Sequence, residues 1–578
     1  MYRVLLFTLL TAIIAACGSP PPDPTPTPEP ITPTVEATPT VAPTPLTIAA
    51  LAPLPGPNPF TAEGSTYRLP LRPGAYEVEP VTQYAVPLLA EGPPPPLEQV
   101  DGVWQAEVSL RPDAVWSDGT PLTAHDWAFT ASIMPPPGVQ GITAPGDHTA
   151  RITFSERPTF GDYLYDVLTA PIVARHYWGA VPAPLTHTPQ NEPLAGPYTV
   201  TAWGDERIEL SANPRYIAQG REVTAYADGI RVVEGGRTLY ADGDRTQQVA
   251  QYAVGPHIER VAYRDFITGV RAWRAVEEDQ ASMFSTPWDE IDIPFGPNYV
   301  DVSVYVSHEA NLTAVRFNTA RAPLNDPALR QVLAQLIDPY FLTQTVLGGS
   351  VYEAQSVVPA INRAWGEPVP SSVRPNYNEA FTLALGALQE AGYSWEAPPS
   401  LAQNEPPGNA IASTPLLTPA GDEVPPLTII TPGGSTGPYQ ETTAVWIADG
   451  FLADIGITAE WIVIPPEEIT ERIATGDYDI ALMDVPLTPY PAYLAEWFEG
   501  AAWYEVQRCT TLEACQRAAR EAAAATRERA SLLPIYHEQA LTIYRTDQIT
   551  LPWEAPIYGG MQPGGGYPHL LQTPNDQP

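Results

Sequence analysis

Lysine is absent from this 578-residue chain: all 29 basic residues are arginine, against 66 acidic ones, for a formal net charge of −37. So acidic a surface repels nucleic-acid phosphates and anionic lipid headgroups, which excludes both as partners of that surface. It reads as a general bias for solubility outside the cell, and it mildly favours cationic or neutral solutes over anions. Cysteine is scarce, with 3 residues. There is no H-E-x-x-H, no C-x-x-C and no Walker loop, so the chain carries no common metal or nucleotide motif. After the first residues no apolar run is long enough to span a membrane. No metal, cofactor or nucleic acid is expected.

What is present begins with MYRVLLFTLLTAIIAACGS. Arg3 precedes an apolar run of about a dozen residues, which fits a secretory signal over residues 1–16. Ile14-Ala15-Ala16-Cys17 resembles a bacterial lipobox, in which the cysteine takes the lipid and becomes the first residue. Residues 17–46 follow as a Pro/Thr-rich stalk that cannot build a core and favours extended polyproline II. The remaining residues are enough for two or three cores.

Two segments carry the most information. Trp104 to Ile133, WQAEVSLRPDAVWSDGTPLTAHDWAFTASI, alternates as a strand, turns at Ser117-Asp118-Gly119, and enters a helix capped by Thr123. From Ala314, FNTARAPLNDPALRQVLAQLID follows a short strand. Asp326 and Asp338 each cap a helix with proline at the first helical position. Leu329, Val332, Leu333, Leu336 and Ile337 recur at helical spacing. Gly348-Gly349 closes the second helix.

Both segments resemble the signatures of solute-binding proteins of the peptide/nickel type (family 5), the receptors of ABC importers. The first resembles L-R-x-G-x-x-W-S-D-G-x-P-L-T-A-x-D-V-x-F. The second resembles F-N-T-x-x-x-P-F-N-D-x-x-V-R-x-A-L-x-x-A-I-D, with Leu324 where the family prefers Phe. Leu194 to Tyr216 and Asn378 to Tyr393 resemble further family segments in the same order. Pro171 to Trp178 resembles P-x-x-P-K-H-x-W, so His176 is read as structural.

The resemblance implies an α/β fold of the periplasmic-binding-protein type II class: two lobes with mixed sheets joined by a hinge, plus an extra subdomain. The first lobe is expected at 47–313, with a subdomain at about 79–195 and an inserted hairpin at about 217–254. The second lobe is expected at 314–530, and 531–578 returns to the first lobe. Within the second lobe we expect strands at Pro426–Ile430, Ile457–Ile464 and Tyr478–Val485, a helix at Ala444–Ile455, and a long loop from Ser394 to Glu423. Such a protein is a monomer that captures a peptide-like or other small solute between its lobes and delivers it to permease subunits. A receptor of the same fold that senses without transport is the alternative.

Site residues follow from the family by position. Its oligopeptide receptors hold a free α-amino group on an aspartate in W-x-x-D-Y-x-D-P. Here the stretch reads Pro486 to Tyr493, with Pro489 and Ala492 at the aspartate positions. An ammonium buried without a counter-charge costs several kcal/mol, so ordinary binding of free-N-terminal oligopeptides is not expected. Asp484 is either a displaced anchor or a strand-end residue with a structural hydrogen bond. Tyr490, Trp446 and Trp497 are candidate cleft aromatics, each also suited to a core. Cys509 and Cys515 bond only if Cys509 lies outside the helix; Thr510-x-x-Glu513 reads as its capping box, and the pairing is left open.

An enzyme remains as a third class. Gly433-Gly434-Ser435-Thr436-Gly437 fits G-x-S-x-G after a strand, and Asp484 and His537 follow in triad order. Pro432 and Pro438 bracket the motif, and no oxyanion loop stands out. A binding protein, not a hydrolase, is the expectation.

Overall fold

A computed structural model describes residues 45–51, 54, 56–61, 71–287, 301–308, 311–358, 364–366, 375–411, 414–433, 438–488, 490–491, 501–552 and 567–574. Cys17, the signal segment and the stalk to residue 44 lie outside them, as do Ser435 and Trp497.

The organising element is one long strand, Leu532–Arg545. Its first half pairs with Asn311–Phe317, through Arg316 opposite Leu532 to Thr313 opposite Tyr536. Its second half pairs with Val302–His308 on one side and Met283–Pro287 on the other. The strand is therefore interior in both lobes. In the first lobe the sheet continues from Met283–Pro287 to Leu46–Ala50, Arg260–Asp265, Arg207–Ala212 and Tyr198–Trp203. In the second it continues from Asn311–Phe317 to Ile480–Pro486, Leu427–Pro432 and Ala459–Ile464, the last three parallel. These parallel strands are apolar on both faces. Ile480 and Leu482 point into one core and Ala481, Met483 and Val485 into another.

The long strand changes partners from Asn311–Phe317 to Val302–His308 between Tyr536 and Gln539. Asn311 braces this point: its Nδ2 donates to Glu538 Oε2 at 2.9 Å, and its Oδ1 accepts from the Glu538 N–H at 3.2 Å. Its carbonyl lies 2.7 Å from Nδ1 of the buried His537.

The motif after this point works through the same local chemistry. Asn318 Nδ2 donates to the carbonyls of Gly476 and Tyr478. Asp326 accepts from the Ala328 N–H at 2.9 Å and starts the helix Pro327–Leu336. Arg330 is buried and donates to the carbonyls of Leu324 and Arg529. These polar residues fold the second lobe and do not reach outward.

The subdomain is a four-stranded antiparallel sheet, Glu98–Val100, Val103–Ser109, Thr149–Phe154 and Val139–Gly146 in spatial order, with the helix Ala124–Ile133. The Thr123 N–H donates to Asp126 Oδ2 at 2.8 Å and fixes the helix start. Residues 217–254, expected as one hairpin, build four strands: Glu222–Tyr226, Gly229–Glu234, Arg237–Gly243 and Gln248–Ala253. Gly235 and Gly236 both have positive φ, 54° and 78°, and add a second tight turn between two alternating strands.

The helix expected at Ala444–Ile455 starts earlier, as Pro438–Trp446, and runs into a wider turn at Ile447–Leu452. The helix Leu512–Arg529 is capped by Thr511, not Thr510, whose Oγ1 accepts from the Ala514 N–H. Cys509 thus lies outside that helix, and it is disulfide-bonded to Cys515 with Cα atoms 5.2 Å apart.

Candidate functional site

The two lobes touch along a seam of aromatic side chains. Tyr165, in the wide helical turn Asp162–Val167 of the first lobe, accepts a hydrogen bond from Trp365 Nε1 at 2.9 Å and donates to the Gln83 carbonyl at 3.0 Å. Trp365, in the segment after the strand Val351–Glu353, packs edge-on to Tyr490 with ring centroids 4.7 Å apart. Tyr490 follows the strand Ile480–Pro486, and its hydroxyl donates to the Val506 carbonyl at 2.5 Å. All three rings are buried. Tyr490 lies against Gly161, where a Cβ would fall 2.0 Å from its Cδ1.

Polar contacts close the rest of the seam. The Leu97 N–H donates to the Thr510 carbonyl at 3.0 Å. Gln516 Nε2, on the helix Leu512–Arg529, donates to Asp242 Oδ2 at 2.8 Å. Beside them Tyr84 and Tyr240 are buried, and their hydroxyls have no hydrogen-bond partner among the described residues. Arg520 is within electrostatic reach of Tyr84, and its Nε is also buried without a partner. Burial pushes the Tyr84, Tyr165 and Tyr240 phenols above their ordinary value, so all three keep their protons. The seam thus offers aromatic faces, two uncommitted hydroxyls and an arginine donor.

The other candidates are placed elsewhere. Asp484 is in the second lobe, where one oxygen accepts from Thr313 Oγ1 at 2.5 Å and the other from Gln440 Nε2 at 2.7 Å. Burial raises its pKa, against those two hydrogen bonds. It tethers strand to helix, and the structure does not bring it to Tyr490. Trp446 packs edge-on to Phe341, centroids 5.2 Å apart, beside Gly450 in the second lobe. His537, beside Asn311, is held neutral by burial, its pKa lowered to about 4. Sequence reasoning passed over Tyr84, Tyr165, Tyr240, Trp365 and Arg520. Each sits among residues of no special spacing, and only the tertiary fold assembles them. The indole of Trp365, isolated between Ala364 and Gly366 with no periodic partner, was the one available signal.

A two-lobed α/β molecule whose lobes meet over a buried aromatic seam belongs to the class of proteins that hold a solute between their lobes. The family profile of the bacterial extracellular solute-binding proteins, family 5 (middle region), matches residues 85–504, and the chain belongs to that family. It is therefore a binding protein and not an enzyme. It is 24% identical over 510 residues to a binding-protein homologue of Brucella suis biovar 1, covering 79% of this chain and 77% of that one. To the periplasmic oligopeptide-binding protein OppA of Salmonella typhimurium it is 23% identical over 326 residues, 50% of this chain and 52% of that one. The periplasmic murein tripeptide-binding protein MppA, in an unliganded open form, superposes with a TM-score of 0.64 at 16% identity, over 91% and 97% of the two chains. A nickel ABC transporter structure from Bacillus halodurans superposes with a TM-score of 0.63 at 17% identity, over 89% and 98%. Both share its fold.

Proposed function

We propose that this protein is the lipid-anchored receptor of an ABC importer, held by Cys17 on its stalk, that closes its lobes over a small neutral solute and hands it to the permease. The observation that carries the reading is the seam itself. Tyr165, Trp365 and Tyr490 join the lobes, while the hydroxyls of Tyr84 and Tyr240 lie buried beside them without partners among the described residues. Leaving a buried hydroxyl unpaired costs about 1–3 kcal/mol; a solute oxygen accepting from it recovers that cost. The aromatic faces suit a flat or apolar body, and Arg520 supplies a further donor. The solute is accordingly one with an apolar face and acceptor oxygens, such as a sugar or an N-blocked peptide. Pro489 and Ala492, in place of the family's aspartates, argue against a free α-amino group.

A thermal-shift screen of peptides, oligosaccharides, polyamines and metal chelates tests this. A true solute at about 100 times its Kd raises stability by about 2.7 kcal/mol and compacts the molecule in small-angle scattering. Trp365→Ala and the double change Tyr84→Phe with Tyr240→Phe are each expected to weaken it at least about tenfold. Tight binding of a di- or tripeptide, lost when its amino group is acetylated, would refute the solute class.

A further inference from the structure

The first lobe holds a cavity of about 700 Å³. Its lining comes from residues 56–216 and 567–569, with nothing from the second lobe. That volume is within the range of small-molecule sites. Trp127, Trp203, Tyr216 and Tyr567 supply aromatic surface, and Phe60 and Met134 aliphatic and aromatic bulk.

Among the described residues, Arg72 and Glu77 are the charged groups on which its character turns. Arg72 lines the cavity, but Glu192 neutralises it through an ion pair in which Nε and Nη2 each donate to one carboxylate oxygen. Glu77 also lines it, and no hydrogen bond to its carboxylate is found among the described residues. The charged groups that act on Glu77 are Arg221 and Glu79. Arg221 is committed to Glu234, 2.9 Å away, and to the carbonyls of Pro87 and Leu88. Glu79 is committed to Tyr252 and to the Val81 and Thr82 N–H groups. His569 is 5% exposed, also lines the cavity, and its Nδ1 has no hydrogen-bond partner among the described residues. Burial keeps that imidazole neutral, with His257 acting in the same direction, so it adds no positive charge.

We propose that this cavity is a second binding site, for a small organic cation with an apolar body, whose ammonium sits against Glu77 among the faces of Trp203, Tyr216 and Tyr567. An ammonium over aromatic faces is attracted by their quadrupoles, more strongly when desolvated, and the carboxylate supplies the counter-charge a buried cation requires. Burial, opposed by Arg221 and helped by Glu79, raises Glu77 to about 7. A cation binds the ionised form, so its affinity rises with pH through that value and binding releases a proton. The site lies in one lobe and does not depend on the solute of the seam.

The test is calorimetric titration of the full chain carrying Cys17→Ser with octyltrimethylammonium, octanol and octanoate at pH 5.5 and pH 8. One cation is expected to bind per chain at pH 8, at least tenfold tighter than octanol or octanoate and at least tenfold tighter than at pH 5.5. Glu77→Gln is expected to reduce it to the level of octanol and to abolish the pH dependence. Ala131→Trp, which places a large ring in the cavity and leaves Glu77 itself unchanged, is expected to cause the same loss and decides the matter if Glu77→Gln does not fold. Trp365→Ala, in the seam, is expected to leave binding unchanged. No binding of the cation, equal binding of cation and alcohol, retention in Glu77→Gln, or loss in Trp365→Ala each overturns the proposal.

Discussion

Gly161 has an ordinary helical backbone, φ −65° and ψ −50°, so any residue fits its conformation. Its constraint is the ring of Tyr490 across the seam. Tyr490 is held by its hydroxyl and by Trp365 and has little freedom to swing away. Gly161→Val is therefore expected to lower the melting temperature, because the clash falls in a contact the structure already makes. It should weaken solute binding at least about tenfold, or ~1.4 kcal/mol. Adding Tyr490→Ala should relieve the block, which scattering would register as restored compaction on ligand addition. Failure of the valine to change affinity would show that the lobes do not close in this register. Tyr490 could be singled out from sequence because a family pattern runs through it. Gly161 could not, since the reason for a glycine there lies in a residue more than three hundred positions later.

At the scale of elements, the strands and caps were the legible part. Asp326-Pro327 and Asp338-Pro339 start helices because aspartate accepts the free N–H groups and proline needs none. The strand at Ile480–Pro486 and the stretch Ser394 to Glu423, almost all loop, also follow from composition. The four-stranded sheet of residues 222–253 was harder, because two hairpins and one hairpin share the same turn chemistry. The lobe boundary was expected by resemblance at 313–314; the contacts beside it rest on Asn311 and Glu538, which no pattern marked, and on His537, which the sequence offered only as a triad partner. His537 is one group through which pH acts on stability. Its folded pKa, about 4, lies below its ordinary 6.5 because burial disfavours the imidazolium. Its contribution to stability is therefore complete above pH 6.5 and is lost as pH falls through about 4. The shift corresponds to something on the order of 3 kcal/mol. Denaturant melts between pH 7 and pH 4 should show a shallower loss for His537→Gln than for the parent chain. Equal slopes would mean that the unfolded chain holds this proton no better than the folded one.

For the whole molecule, composition fixed the environment better than it fixed the cargo. A charge of −37 without a single lysine is compatible with an exported surface, but it does not choose a solute. That choice rests on a handful of side chains gathered from both lobes. The anchor is testable directly. Cells fed a clickable palmitate should label the parent protein, and Cys17→Ser should abolish the label; a label that survives that change ends the lipoprotein reading. The long strand Leu532–Arg545 bears on how the molecule is made. It is the interior strand of both halves of the sheet, yet it is synthesised after every strand it joins. Neither lobe can complete its hydrogen-bond ladder until that strand has emerged, so the two lobes cannot fold one after the other during synthesis. The chain stays open until nearly all of it has been made, the state that passage through an export channel demands. A chain ending before Leu532 should consequently lose protection from proteolysis in both lobes at once, rather than leaving a stable first lobe behind.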